Sequence, residues 1–381
     1  MALDASMKQY ALDVQEELKQ LIRDLCAIPA PSHHEEQRAA FCKAWFEKAG
    51  GQGVYIDEAL NAVCPWGVTE DNPVVVVMAH TDTVFPDLEP LPFREDAEHF
   101  YCPGVCDDTA QLAVLMVAAR YFMNHCPTPD VGVVFVANSC EEGLGNLKGS
   151  RQIVKDYGSR MRELISIDSS RLVSMCNEAV GSHRYRVTVK TEGGHSFGAF
   201  GNRNAIHYLA SMISSLYAVK VPQEGSSKTT YNVGTISGGT SVNTIAQEAQ
   251  MLYEYRSDSR VCLAKMEEMF YAVAAAYRAM GVEVIVDKIG DRPCTGDVDP
   301  AREQALVDRA TGAMLRQIGC EPKPHSGSTD CNIPLSLGIP AVAIGGCIGR
   351  GVHTREEVLE LSSLEPGCRF VMDFLQETFY N

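Results

Sequence analysis

Apolar runs of strand length alternate with helically spaced stretches along the first half of the chain. PVVVVMAH (73 to 80) and VGVVFVANS (131 to 139) are continuous apolar runs, suited to central parallel strands covered on both faces. ELISID (163 to 168) is a third strand, and helical spacing runs from about 109 to 125 and from 147 to 157. This alternation predicts an α/β fold with a mostly parallel mixed sheet and helices on both faces. The first residues, MALDASMKQYALDVQEELKQLIRDLC, predict an amphipathic helix.

Between about Gly181 and Gly290 the order changes to strand (183 to 190), helix (203 to 219), two strands (229 to 236, 248 to 257), helix (260 to 280) and strand (282 to 289). That βαββαβ order predicts a ferredoxin-like module inserted in the first domain. From Asp291 the first pattern resumes, with a helix at 301 to 318, the strand PAVAIGG (340 to 346) and a last helix from about Glu356. The expected domains are a discontinuous one, 1–180 with 291–381, and an inserted one, 181–290.

Composition narrows the function. With 45% apolar residues in 381, the chain can build two cores, and a net charge of -16 gives phosphate backbones and anionic lipids little to hold. Neither nucleic acid nor membrane is an expected partner. The acidic N-terminal stretch is not a secretion signal and no 18-residue apolar run occurs, so a soluble, cytoplasmic protein is expected. The 14 cysteines are scattered, which favours free thiols over a disulfide framework. Cys102 with Cys106, or Cys106 with Cys140, lacks the CxxC spacing of a thiolate zinc site.

Ligands of open α/β sheets bind beyond the carboxyl ends of the strands. Here those ends collect acids and histidines: His80 and Asp82 after the first strand, Glu141 and Glu142 after the second, Asp168 after the third, and His353 after the last. Asp107 and Asp108 stand just before a helix, where free N–H groups favour carboxylates. A single such residue is most often a cap or a satisfied structural group. Several together repel one another unless cations intervene, and imidazoles with carboxylates suit Zn²⁺, Mn²⁺ or Co²⁺.

The pattern therefore predicts a two-metal site, with ions about 3.5 to 4 Å apart sharing a carboxylate and a water. Asp107 is the expected bridge, His80 and Asp168 complete one ion's shell, and Glu142 and His353 the other's. Asp82 is suited to hold the free N–H of His80. Glu141 is left to take the proton of the attacking water and pass it to the leaving amine.

These stretches resemble the two-zinc metallopeptidases that include peptidase T, carboxypeptidase G, carnosinase-type dipeptidases, acetylornithine deacetylase and succinyl-diaminopimelate desuccinylase. The resemblance lies in HTDTV (80 to 84), PGVCDD (103 to 108), CEEGLG (140 to 145), ISID (165 to 168), GGHSFGAFGNRNAI (193 to 206), GGTSVNTIA (238 to 246), GSTDCNIP (327 to 334) and GVHTREE (351 to 357). It implies that His80, Asp107, Glu142, Asp168 and His353 hold two divalent ions, zinc by expectation with cobalt or manganese as alternatives. It makes Glu141 the general base and Asp82 the orienting acid, and the inserted module a lid and dimerisation domain, hence a homodimer. His195 falls where the family stabilises the oxyanion, often across the dimer, and Arg256 where it binds a substrate carboxylate. Asn243, Gly327 and Ser328 are implied to line the substrate pocket.

Two departures bear on the branch. Thr109 and Gln111 follow the bridging aspartate where many members carry a Lys-Gly pair, and Asp168 is aspartate, as in the peptidase T and dipeptidase branches, rather than glutamate. The resemblance thus implies an aminopeptidase that cleaves short peptides with metal-bound hydroxide. The alternative is an N-acyl-amino-acid deacylase or carboxypeptidase. A peptide or amino-acid sensor on the same fold should have lost ligands, and this chain keeps all five. A dinucleotide fingerprint read from GLGNLKG (143 to 149) would set Glu141 and Glu142 against a pyrophosphate. The single-domain aminopeptidases with a similar ligand order lack an inserted module.

Overall fold

The computed structural model describes residues 5–380; residues 1–4, the start of the expected N-terminal helix, and residue 381 lie outside it. The chain divides into two compact units, Met1–Ala179 with Gly296–Asn381, and Val180–Thr295.

The first unit is built on an eight-stranded sheet. Its spatial order is Tyr55–Ile56, Ala62–Trp66, Gly132–Asn138, Val74–His80, Met161–Ile167, Ala341–Ile344, Ser174–Ala179 and Lys323–Gly327. The four strands from Gly132–Asn138 to Ala341–Ile344 run parallel, and antiparallel neighbours close the run on either side. Every residue of Val74–His80 is buried. Val75, Val77 and Ala79 join one core, with helices Ala110–His125 and Leu364–Tyr380, while Val74, Val76 and Met78 join another on the opposite face, with Ile153 and Leu335. Each buried valine stabilises by roughly 1.5–3 kcal/mol, which anchors a strand whose end carries costly buried polar groups.

Helix Ala110–His125 is apolar almost all round because it is buried on most of its surface. Gln111 is a polar side chain on its buried surface. Its Nε2 donates to Ser169 O at 2.5 Å and its Oε1 accepts from Gly346 N at 2.6 Å, tying together two strand ends. Helix Pro300–Gln317 starts where Asp299 accepts from Ala301 N (2.9 Å) and Arg302 N (3.0 Å), with proline at the first position.

The second unit is a four-stranded antiparallel sheet ordered Thr229–Gly238, Glu248–Ser257, Gly181–Lys190, Glu283–Arg292. Helices Ala205–Tyr217 and Arg260–Ala279 share its core with Tyr185, Val187, Met251, Tyr253 and Tyr255. Asn204 and Ser259 cap those helices. The alternation of period two along Glu248–Ser257 is complete, since one face meets the helices and the other does not.

Local pattern misplaced some elements. The last helix begins at Leu364, not near 356, because Val358–Glu360 forms a strand paired with His99–Tyr101. Val358, Leu359, Leu361 and Leu364 mimic helical spacing, but a distant strand claims the first two. The N-terminal helix is two, Ala5–Asp13 and Gln15–Cys26. Strand Ala62–Trp66 is apolar but short, with Pro65 inside it, and Ser174–Ala179 and the polar edge Lys323–Gly327 carry too little apolar signal to be read locally. No helix among the described residues is long and apolar enough to cross a membrane.

Candidate metal centre

The parallel strands place His80 and Asn138 side by side at their carboxyl ends, with Ser166 beside Met78 one strand over. Each following loop delivers its acid to the same edge. His80 Nε2 lies 3.0 Å from Asp107 Oδ1, and Asp107 Oδ2 lies 2.9 Å from His353 Nε2. The same His353 nitrogen is 3.0 Å from Glu142 Oε1. Asp107 therefore stands between the two imidazoles with one oxygen toward each.

Three overlapping groups of ligand atoms result: His80, Asp107, Asp108 and Asp168; Asp107, Glu142 and His353; and His80, Glu141 and Glu142. Within each group the atoms lie within 4.8 Å of one another. His80, Asp107, Glu141, Glu142, Asp168 and His353 are thus brought together. Among the described residues no cysteine joins these groups, and none of the 14 cysteines forms a disulfide.

Asp82 faces the His80 ring with both its side chain and its backbone. Its carboxylate Oδ1 is 3.4 Å from His80 Nδ1, whereas the Asp82 carbonyl is 3.0 Å away, so the backbone is the nearer partner of the ring. The carboxylate's shorter bonds accept from Glu141 N (2.9 Å), Glu142 N (3.0 Å) and Ser32 Oγ (2.7 Å). Asp82 thereby fixes the turn that carries both glutamates. Ser32 carries no motif signal, and Asp108, which stands beside Asp107 before the helix, turns out to accept from His80 N through its Oδ2 at 2.8 Å.

Charge explains the arrangement. Burial alone would lower the His80 imidazole, but the carboxylates of Asp108, Asp107 and Asp82 hold it well above the usual range. Asp107 and Glu142 push His353 up to about 10. Burial opposes ionisation of Asp107, yet His353 and His80 hold its carboxyl well below the usual range. Asp168 is pushed up to about 7, first by burial and, against the pull of His80, by the carboxylates of Asp107, Asp330 and Glu142.

Five carboxylates thus share two imidazoles as their counter-charges, and the buried Asp108 Oδ1 has no hydrogen-bond partner. An oxygen and nitrogen donor set with surplus negative charge fits divalent cations of the zinc, manganese and cobalt kind. The imidazoles must release their protons to bind metal. His353 is protonated below about pH 10 in the metal-free protein, and Asp168 below about pH 7. Metal affinity should therefore rise with pH, and more steeply below about pH 7 than above it. Calorimetric titration in buffers of different ionisation enthalpy should show more protons released at pH 6 than at pH 8; equal release at both would contradict this.

The remaining expected site residues are placed as follows. Gly327 ends the edge strand of the main sheet, followed by Ser328, in the first unit. The other three belong to the second unit. His195 is exposed, and its Nδ1 accepts from Phe197 N (3.2 Å) and Gly198 N (3.3 Å). Asn243 Oδ1 accepts from Ser241 Oγ at 2.9 Å. Arg256 is half-buried and donates twice to Glu254, at 3.1 and 3.2 Å, a neighbour on its own strand.

Residues 76–377 match the model of peptidase family M20/M25/M40. The chain is 25% identical over 372 residues to the succinyl-diaminopimelate desuccinylase of Bordetella bronchiseptica, covering 91% of this chain and 94% of that protein. Its fold is similar to that of a Staphylococcus aureus tripeptidase (TM-score 0.74, 22% identity, 95% and 98% of the two chains). It is also similar to that of the Saccharomyces cerevisiae dipeptidase Dug1p (TM-score 0.77, 16% identity, 97% of each chain).

Proposed function

The chain belongs to peptidase family M20/M25/M40, and from that premise we propose that this metal-dependent hydrolase is an aminopeptidase that cleaves short peptides. The observation that carries the metal chemistry is the Asp107 carboxylate, with one oxygen toward His80 and the other toward His353. In this reading His80, Asp107 and Asp168 would hold one divalent cation, and Asp107, Glu142 and His353 a second. When bound, such a pair lowers the pKa of a water toward about 7 and polarises the amide carbonyl.

The protein's own groups do the rest. Glu141, 5% exposed beside this cluster, receives the proton of the attacking water on its carboxylate and returns it to the departing amine nitrogen. Asp82 keeps Glu141 and Glu142 in register through their backbone N–H groups. Asn243, His195, Arg256, Gly327 and Ser328 would contact substrate, His195 by donating to the oxyanion and Arg256 by pairing with a carboxylate. The second unit would act as lid and homodimer contact; its edge strand Thr229–Gly238 is mostly exposed in the single chain.

The tripeptidase and dipeptidase folds and the aspartate at 168 support the peptide reading. A second reading, N-acyl-amino-acid deacylase, is favoured by the desuccinylase relatives at 25% identity. Amine release should be followed from free di- and tripeptides, N-acetylated amino acids and acyl-glutamates after loading with Zn²⁺, Mn²⁺ or Co²⁺, with Glu141→Gln as control. Turnover of free tripeptides that the control lacks is expected. Turnover of N-acylated substrates alone would move the protein to the deacylase branch, and none at all with metal bound would favour a sensor.

A further inference from the structure

We propose that Glu357 is a positioning residue that fixes Asp107 between the two histidines, an inference that rests on the metal-centre reading above. Glu357 lies four residues after His353 and directly before the Val358–Glu360 strand, which pairs with His99–Tyr101. Cys102 N donates to its backbone carbonyl at 3.3 Å. Two segments therefore leave one pair of strands, one running to Asp107 and the other returning from His353.

The Glu357 side chain joins them. Its Oε1 accepts from Cys106 N (2.7 Å) and Asp107 N (3.0 Å), and its Oε2 from Gly104 N (2.8 Å). The residue is 1% exposed, and no lysine, arginine or histidine pairs with it among the described residues. A buried carboxylate without a cation is costly, and hydrogen bonds to an ionised group are roughly twice as strong as neutral ones. Three such bonds come here from three residues of one loop, Gly104, Cys106 and Asp107.

The loop's own backbone adds bonds from Val105 N to Cys102 O at 3.1 Å and from Thr109 N to Gly104 O at 3.3 Å. Gly104 has φ +78°, and a Cβ there would come within 2.6 Å of Thr83 Cγ2, so the backbone passes close to the loop that follows His80. With the N–H of Asp107 held, its Cα–Cβ direction is set, and its two oxygens reach His80 at 3.0 Å and His353 at 2.9 Å. Glu357 does not touch the reacting atoms. It acts through Asp107, and it couples the segment bearing Asp107 to the one bearing His353.

Glu357→Gln keeps the size and replaces one acceptor by an NH₂ that must face a backbone N–H. Substitution of groups that orient metal ligands typically costs about 10–100-fold in metal affinity. Affinity for Co²⁺ is expected to fall by that factor, and the visible absorption of bound Co²⁺ to change. Glu357→Asp, which keeps the charge but is one methylene shorter, should restore part of both. A purely structural role would lower the melting temperature and leave the Co²⁺ spectrum alone. Two Co²⁺ bound with wild-type affinity and spectrum in Glu357→Gln would overturn the proposal while the metal-centre reading stands. Failure of the wild type to bind Co²⁺ would instead remove that reading, and the proposal with it. Should neither variant fold, hydrogen exchange of the wild type decides: the amides of Gly104, Cys106 and Asp107 are expected to be protected in the metal-free protein, and fast exchange there would overturn the proposal.

Discussion

Asp107→Ala is expected to lower kcat/KM by about 10⁴-fold or more, equivalent to about 5 kcal/mol of transition-state stabilisation. Among the described residues it is the one carboxylate in contact with both histidines, so its removal takes a ligand from each of the two groups that share it. It also removes the negative charge that holds His80 and His353 above their usual range, leaving Glu142 opposite His353 and Asp108 near His80. Metal analysis after gel filtration should show occupancy falling from two ions per chain to one or none. Retention of two ions with near-normal turnover would mean that the cluster is not bridged through Asp107. Asp108→Ala serves as a comparison, because Asp108 bonds the His80 backbone and groups with His80 but not with His353. Its effect on occupancy should be smaller.

Glu141→Gln should have the second large effect, of a different kind. General acid–base groups contribute about 10²–10⁴-fold, and a residue serving both proton transfers should lie at the upper end. The loss is expected in kcat, with KM little changed, because the amide keeps the size of the carboxylate but cannot accept the water's proton. Metal content should stay at the wild-type level. Glu141 shares a ligand-sized group with His80 and Glu142, so the geometry offers it as a ligand as well as a base. A drop in bound metal in Glu141→Gln would assign it as a ligand and leave the base to be found elsewhere. The same variant with Glu142→Gln separates the two neighbours, since Glu142 Oε1 is the carboxylate oxygen 3.0 Å from His353.

Much of this site was legible before any coordinates. The apolar run Val74 to Ala79 can only be a strand buried on both faces, and it ends in His80. The carboxyl ends of neighbouring parallel strands lie at one edge by geometry, so Glu141, Glu142, Asp168 and His353 had to be considered together with it. The βαββαβ order from 181 to 290 was equally plain, because the period of each segment is set by residues a few positions apart.

What the sequence determined by itself was therefore local periodicity, the order of the elements and the chemical types gathered at their ends. The tertiary structure alone decided which of those groups touch. Asp82 bonds backbone N–H groups 59 and 60 residues away, and Glu357 bonds others 250 to 253 residues away. Val358–Glu360 became a strand rather than the start of a helix because His99–Tyr101 and Ile348–Arg350 flank it with backbone partners. The physical reason is common to all three: a hydrogen bond is satisfied by whatever partner the fold brings within about 3 Å, and separation along the chain carries no record of that distance.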